Sequence, residues 1–244
     1  MLIGRMRADG AVHHVRWHGG RAIAIEDPYV AFAAGRKPAD VGGAVVDGQL
    51  LAPADPRVVV GIAQNGPGHP APVQAWLKSP RTVVGSGETV TLRRDAGTTV
   101  AEGEIAVVIG RDTAGLTVAN AADYVLGVTA VDDLSSPDRG DLDPRNFESK
   151  AGEGYTPLGP WIDTDAGLTG IPLVLRVGGD DVACTGSDEL PVPIAECLAY
   201  VATWARMGPG DIVMMGAPFS NAPVAPGQTI EVSVAGIRLI TPTR

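Results

Sequence analysis

The chain has 244 residues, 45% apolar and 19% charged, with 19 basic against 28 acidic side chains and a formal net charge of −9. That length suits one large domain or a large domain with a small appendage, and the acidic balance argues against a phosphate-backbone partner such as nucleic acid. No stretch approaches the roughly 18 apolar residues of a membrane span, and Cys184 and Cys197 are too few for a disulfide framework or a cysteine metal site. Both cysteines are expected to be buried small hydrophobes. The 32 glycines and 20 prolines favour many short strands and turns over long helices. Met1-Leu2-Ile3-Gly4-Arg5 is followed by no apolar core of a secretory signal, so a cytoplasmic enzyme or binding protein is expected.

Residues 1–49 read as a small N-terminal unit, and residues 50–244, opening on Leu50-Leu51-Ala52-Pro53, as the main domain. Gly4-Arg5-Met6 and Ala11 to Trp17 alternate like hairpin strands about an Asp9-Gly10 turn. His13, His14 and His18 match no ligand spacing, and exposed structural histidines are expected. In the main domain Val58–Ile62 predicts a strand. The turn-rich loop Asn65 to Pro70 follows it and is expected as a mobile cover over a site. Gln74–Lys78 and Thr89–Leu92 predict further strands.

The stretch Ala101-Glu102-Gly103-Glu104-Ile105-Ala106-Val107-Val108-Ile109-Gly110 carries the strongest chemical signal. Side chains on a strand repeat every second residue, so Glu102 and Glu104 share a face. Ile105 to Ile109 reads as a strand buried on both sides. Two like charges aimed together at the mouth of such a strand repel unless a cation stands between them, and oxygen ligands suit magnesium or manganese. The alternative is that both glutamates face water.

Further on, Thr117 is expected to cap a short helix running past Asp123 to Leu126 and closed by Gly127. Thr129 to Asp133 predicts an apolar strand ending in two acids, only one of which can turn towards Glu102 and Glu104. Ser135 to Glu148 is polar and irregular, and Tyr155 to Trp161 reads as a rigid turn. Leu173–Val177 predicts a strand. Ile194, Cys197, Leu198, Val201 and Trp204 follow helical spacing, with Gly208-Pro209-Gly210 as the stop. Asp211–Gly216 and Thr229–Val234 predict the last strands.

In this order the pieces resemble the fumarylacetoacetate hydrolase family over about residues 50–236. Glu102 to Gly110 matches its Glu-x-Glu-Leu-x-x-Val-Ile-Gly, and Gly127 to Ser135 its Gly-Tyr-Thr-x-x-Asn-Asp-Val-Ser. Lys150 ahead of Pro157-Leu158-Gly159-Pro160-Trp161 matches its lysine and Pro-Leu-Gly-Pro-Trp. Pro209 to Pro218 matches its Pro-Gly-Asp-x-Ile-x-x-Gly-Thr-Pro. The resemblance implies a mixed α/β, β-rich fold built as a β-roll, and a homodimer. It also implies a magnesium or manganese ion on Glu102, Glu104 and Asp133, with Lys150 as the active-site lysine. Substrate-facing positions fall on Gly216 and Ala217.

The departures are as informative. Asp132 replaces the family's asparagine, and Gly61-Ile62-Ala63-Gln64 its Gly-Leu-Asn-Tyr. The water-activating His-x-x-Glu has Pro67 at the histidine's place, with His69 two residues late and no following acid. Pro137 replaces a carboxylate-binding arginine, leaving Arg139 nearby in another register. Gly140 replaces a glutamine and Ala217 a threonine. Three functions follow. One is a metal-dependent lyase or isomerase of a β-dicarbonyl or 2-oxo compound, working through an enolate by decarboxylation, tautomerisation or dehydration, on a larger and less acidic substrate than a small 2-oxo acid. Another is a C–C hydrolase of an acylpyruvate-like diketone using His69 as base. The third is a binding or scaffold descendant of the family.

Overall fold

A strand with apolar side chains on both faces needs a core on each, and the chain supplies two. The computed structural model describes every residue except 64, 67–72, 141 and 144. At its centre lies the strand Thr99–Ile109. Ile105, Val107 and Ile109 project into the larger core, Ala106 and Val108 into the smaller one. Over the larger core lies a four-stranded antiparallel sheet in the order Asp180–Gly186, Pro172–Val177, Thr229–Val234, Ile237–Pro242. The helix Ile194–Trp204 buries Ile194, Cys197, Leu198 and Val201 in the same layer.

The central strand belongs to a sheet of 14 strands. On one side it pairs antiparallel with Val125–Asp132, setting Glu104 opposite Val131 and Gly103 opposite Asp132. On the other it pairs with Ile212–Met214 and, nearer its start, with Asn221–Val224, where Asn221 faces Glu102. Val59–Ala63 runs parallel to Ile212–Met214, and Gln74–Lys78 follows at the edge. Asp211 fixes this corner, because its carboxylate accepts from the backbone N–H groups of Arg57, Val58 and Gly208 at 2.7–3.0 Å. Towards the other edge, Leu2–Ala8 and Ala11–His18 form the expected hairpin. Its Asp9-Gly10 turn has both residues at positive φ, 50° and 77°. Leu2 and Ile3 join this hairpin to the rest of the sheet through Asp163 and Ile162. No helix among the described residues is long and apolar enough to cross a membrane.

Several local expectations are corrected. The short helix expected after Thr117 is present over residues 118–124, wound as a 3-10 helix, but Gly127 lies inside the following strand instead of closing it. The reason is packing: a Cβ on Gly127 would stand 2.3 Å from the carbonyl oxygen of Asp163. Thr89–Leu92 is not a regular strand. Val90 makes one bridge to Thr243, and the neighbouring backbone groups pair with residues 242–244. Cys184 is exposed, because it sits on an edge strand covered from one side only. Trp204, at the helix's last position, is 78% exposed, since the apolar stripe has no opposing layer left there. His13 and His14 are half-buried rather than exposed, the His14 ring edge-on to Tyr29 at 6.2 Å, while His18 is exposed as expected.

Gly127→Ala is expected to lower stability by about 1–3 kcal/mol through overpacking. Urea or thermal unfolding should show the loss, and an unchanged midpoint would mean that Asp163 yields freely.

Candidate active site

Strand parity brings the acids together. Glu102 and Glu104 lie on the face of the central strand that continues as Ala106 and Val108, at the place where the smaller core gives way to a cavity. Asp133 follows directly on the neighbouring strand, and its N–H donates to the Glu102 carbonyl at 2.9 Å. One carboxylate oxygen from each of Glu102, Glu104 and Asp133 lies within 4.8 Å of the others. Asp132 points the opposite way, as alternation requires, and its Oδ1 accepts from the Glu102 N–H at 3.0 Å.

Two lysines answer this charge. Lys150, on the short helix Phe147–Lys150, donates to Glu102 and, at 2.6 Å, to Asp133 Oδ2. Lys78 donates to Asp133 Oδ1 at 2.6 Å and to the carbonyls of Tyr155 at 2.5 Å and Leu134 at 3.3 Å. Burial alone would raise the Asp133 carboxyl, but the two ammonium groups hold it below the ordinary carboxylate value. Lys150 is displaced upwards, because Asp133 and Glu102 outweigh its burial. For Lys78 burial prevails over Asp133, and its ammonium titrates below the usual lysine value. Glu104 has no lysine in contact. Burial first, then repulsion from Asp133 and Glu102, raise its carboxyl well above normal, although the Gly216 N–H donates to it at 2.8 Å. A carboxyl that is costly to ionise, crowded by two others, is a donor set that a hard divalent cation fits, since the ion's charge relieves all three.

The acids and Lys150 line a cavity of about 750 Å³, together with Trp76, Gln74, Asn221, Phe219, Gly216 and Ala217 among the described residues. The Lys150 Nζ lies 5.1 Å from the centroid of the Trp76 ring. Gly216 must be glycine: its φ is +96°, and a Cβ would stand 2.8 Å from Asn65. The Asn65 side chain is wholly engaged, donating to the carbonyls of Met215 and Val192 and accepting from the Val192 N–H. Glu102, Glu104, Asp133, Lys150, Gly216 and Ala217 thus come together. Arg139 does not join them, because its guanidinium is turned onto Glu148 at 2.8 Å. His69, with most of the turn-rich loop expected as a cover, lies outside the described residues.

Sequence reasoning missed Lys78, Trp76, Phe219 and Asn221. The signal for Lys78 was the alternation of its own strand, where Gln74, Trp76 and Lys78 share a face that becomes progressively more buried. A lysine on the tryptophan's side of a strand needs an acid to meet.

Asp132 supplies a pH test. Among the described residues its Oδ2 has no partner, and burial raises its carboxyl to about 8. The folded chain therefore holds this proton more tightly than the unfolded chain, and stability falls as pH rises between about 4 and 8. Asp132→Asn keeps the acceptor for Glu102 and removes the ionisation. In metal-free protein its melting temperature should exceed that of the wild type at pH 8 and lose the advantage at pH 5. Parallel curves for the two proteins would refute a protonated Asp132.

Comparison with known proteins gives a consistent picture. A model of the fumarylacetoacetate (FAA) hydrolase C-terminal domain matches residues 53–243. The solved structure of 5-carboxymethyl-2-hydroxymuconate delta-isomerase from Mycobacterium smegmatis aligns at a TM-score of 0.89 with 28% identity, covering 100% of this chain and 99% of that one. The chain is 29% identical over 169 residues to the 4-hydroxyphenylacetate degradation bifunctional isomerase/decarboxylase of Escherichia coli, covering 68% of this chain and 38% of that protein. It is 27% identical over 169 residues to the maleylpyruvate hydrolase of Aquipseudomonas alcaligenes, covering 68% and 58%. The β-rich fold around an acid-lined cavity and the match over most of its length agree: this chain belongs to the fumarylacetoacetate hydrolase family.

Proposed function

We propose that the chain is a divalent-metal-dependent enzyme acting on a β-dicarbonyl or 2-oxo compound by decarboxylation, tautomerisation or dehydration. The observation that carries this reading is the meeting of Glu102, Glu104 and Asp133 within 4.8 Å at a cavity that also holds Lys150. Glu102, Glu104 and Asp133 would hold magnesium or manganese, both of which take oxygen ligands. When bound, such an ion would supply Lewis-acid stabilisation of the negative charge that builds on a carbonyl oxygen as a C–C or C–H bond breaks.

The chain's own residues divide the remaining work. Lys78 grips Asp133 from behind and fixes the direction of its carboxylate. Lys150 places a fixed positive charge beside the same cluster, where its Nζ can hydrogen-bond an oxygen on which negative charge builds. Trp76 covers the Lys150 ammonium and limits its access to water. The Gly216 N–H orients Glu104.

A C–C hydrolase is the second reading, favoured by the likeness to a maleylpyruvate hydrolase. It needs an activated water, and no acidic residue occurs between Asp55 and Glu88 to orient His69 from within its own segment. A binding descendant of the family is disfavoured by the three acids themselves, whose mutual repulsion a scaffold without an ion would have to carry.

Calorimetry with magnesium and manganese should show saturable binding that is lost in Glu102→Ala/Glu104→Ala. Products from β-dicarbonyl and 2-oxo compounds should then be carbon dioxide, water or an isomer. Two carbonyl fragments would favour the hydrolase, and no binding at millimolar metal would sink the metal-dependent reading.

A further inference from the structure

The charges around the cavity bear on what its substrate carries away from the reacting carbonyls. Lys150 is the single cation among the described lining residues, and both Glu102 and Asp133 already engage it. Lys78 stands behind Asp133, 1% exposed, with three acceptors. Arg139 is committed to Glu148. Residues 61–77 contain no lysine or arginine, and neither do residues 141 and 144. A divalent ion and the two lysines set against three carboxylates leave one formal positive charge, which one anionic group at the reacting end of a substrate would use up. A carboxylate on the far end of a substrate would therefore meet no lysine or arginine other than the engaged Lys150 among the described lining residues.

The walls suit another kind of group. Trp76, Phe219, Ile62, Ala63 and Ala217 provide apolar surface, and the side-chain amides of Gln74 and Asn221 stand among them. Phe219 is held at φ +61°, a conformation that non-glycine residues seldom adopt, and its ring is 61% exposed. It is pinned there by its neighbour, since Ser220 donates its hydroxyl to the Gly103 carbonyl at 2.6 Å and accepts the Gly103 N–H at 2.8 Å. The same Phe219 also borders a second cavity of about 620 Å³, whose lining includes Asp188 and Glu189. An arm long enough to pass Phe219 would approach two acids.

Resting on the metal-dependent reading above, we propose that the substrate's second arm is uncharged. Its apolar stem lies against Trp76 and Phe219, and a neutral hydrogen-bonding end such as an amide or alcohol is held by Gln74 and Asn221. The site then selects against a second carboxylate.

Two acylpyruvates of equal length test this, one ending in a carboxamide and the other in a carboxylate. Both are assayed for turnover and for calorimetric binding with the magnesium- or manganese-loaded protein. The carboxamide should be favoured by roughly tenfold or more in kcat/KM. Gln74→Arg, which adds the missing cation, should shift the ratio towards the carboxylate by a similar factor, with metal affinity retained. Equal or inverted preference in the wild type overturns the inference, as does a metal-loaded protein that binds neither compound. Failure of the underlying reading has its own signature, the absence of saturable metal uptake before any substrate is added.

Discussion

Three carboxylates with oxygens 4.8 Å apart or closer cannot all stay ionised in a buried setting without positive charge among them. The rest of the site is arranged around that repulsion. Two lysines reach Asp133 from opposite sides, one oxygen each, and one of them also holds Glu102. Glu104 is left with a backbone N–H and an elevated proton affinity. Binding of a hard cation would draw that proton off, so metal affinity and acidity are linked through Glu104.

The geometry that forces the acids together is the ordinary alternation of a strand with two cores. Odd-numbered residues from Ala101 to Ile109 face the larger core, while on the even-numbered side Ala106 and Val108 face the smaller core and Glu102 and Glu104 the cavity. On the neighbouring strand Asp132 shares the face of Val128 and Ala130, while Asp133 turns to the other side. One residue of register thus separates a lone buried acid from a member of the cluster. The ladder of Glu104 to Val131 and Gly103 to Asp132 holds that register in place.

This much was legible in the sequence. The spacing of Glu102 and Glu104, the apolar run behind them and the paired acids at 132–133 follow from a period of two and need no knowledge of partners. What stayed hidden depended on long-range contact. Lys78 is 55 residues from the carboxylate it grips, and only the order of strands in the sheet brings them together. Gly127 reads locally as a helix stop, yet it is there to admit the backbone of Asp163. The helical spacing that placed Trp204 on a buried stripe was sound for Val201, but periodicity does not reveal where the opposing layer stops. Arg139 resembled a stand-in for a missing arginine, and a nearby Glu148 had the prior claim.

Gly103 carries one further consequence. Lying between the two glutamates without a side chain, it lets Leu175 and Val232 of the four-stranded sheet close to 3.4 Å of where a Cβ would be. The spacing of the acids is therefore set from behind, by the larger core. Among the described residues, the walls that would meet a substrate include Ile62, Ala63, Gln74 and Trp76, and Gly216, Ala217, Phe219 and Asn221. The wall on residues 216–221 shares that foundation, since Asn221 pairs with Glu102, Ser220 with Gly103, and the Gly216 N–H donates to Glu104, whereas Gln74 and Trp76 stand on a different strand. Such a scaffold can exchange one substrate for another by rewriting the Gln74 and Trp76 side of its rim, while a change on the 216–221 side is felt at the acids themselves.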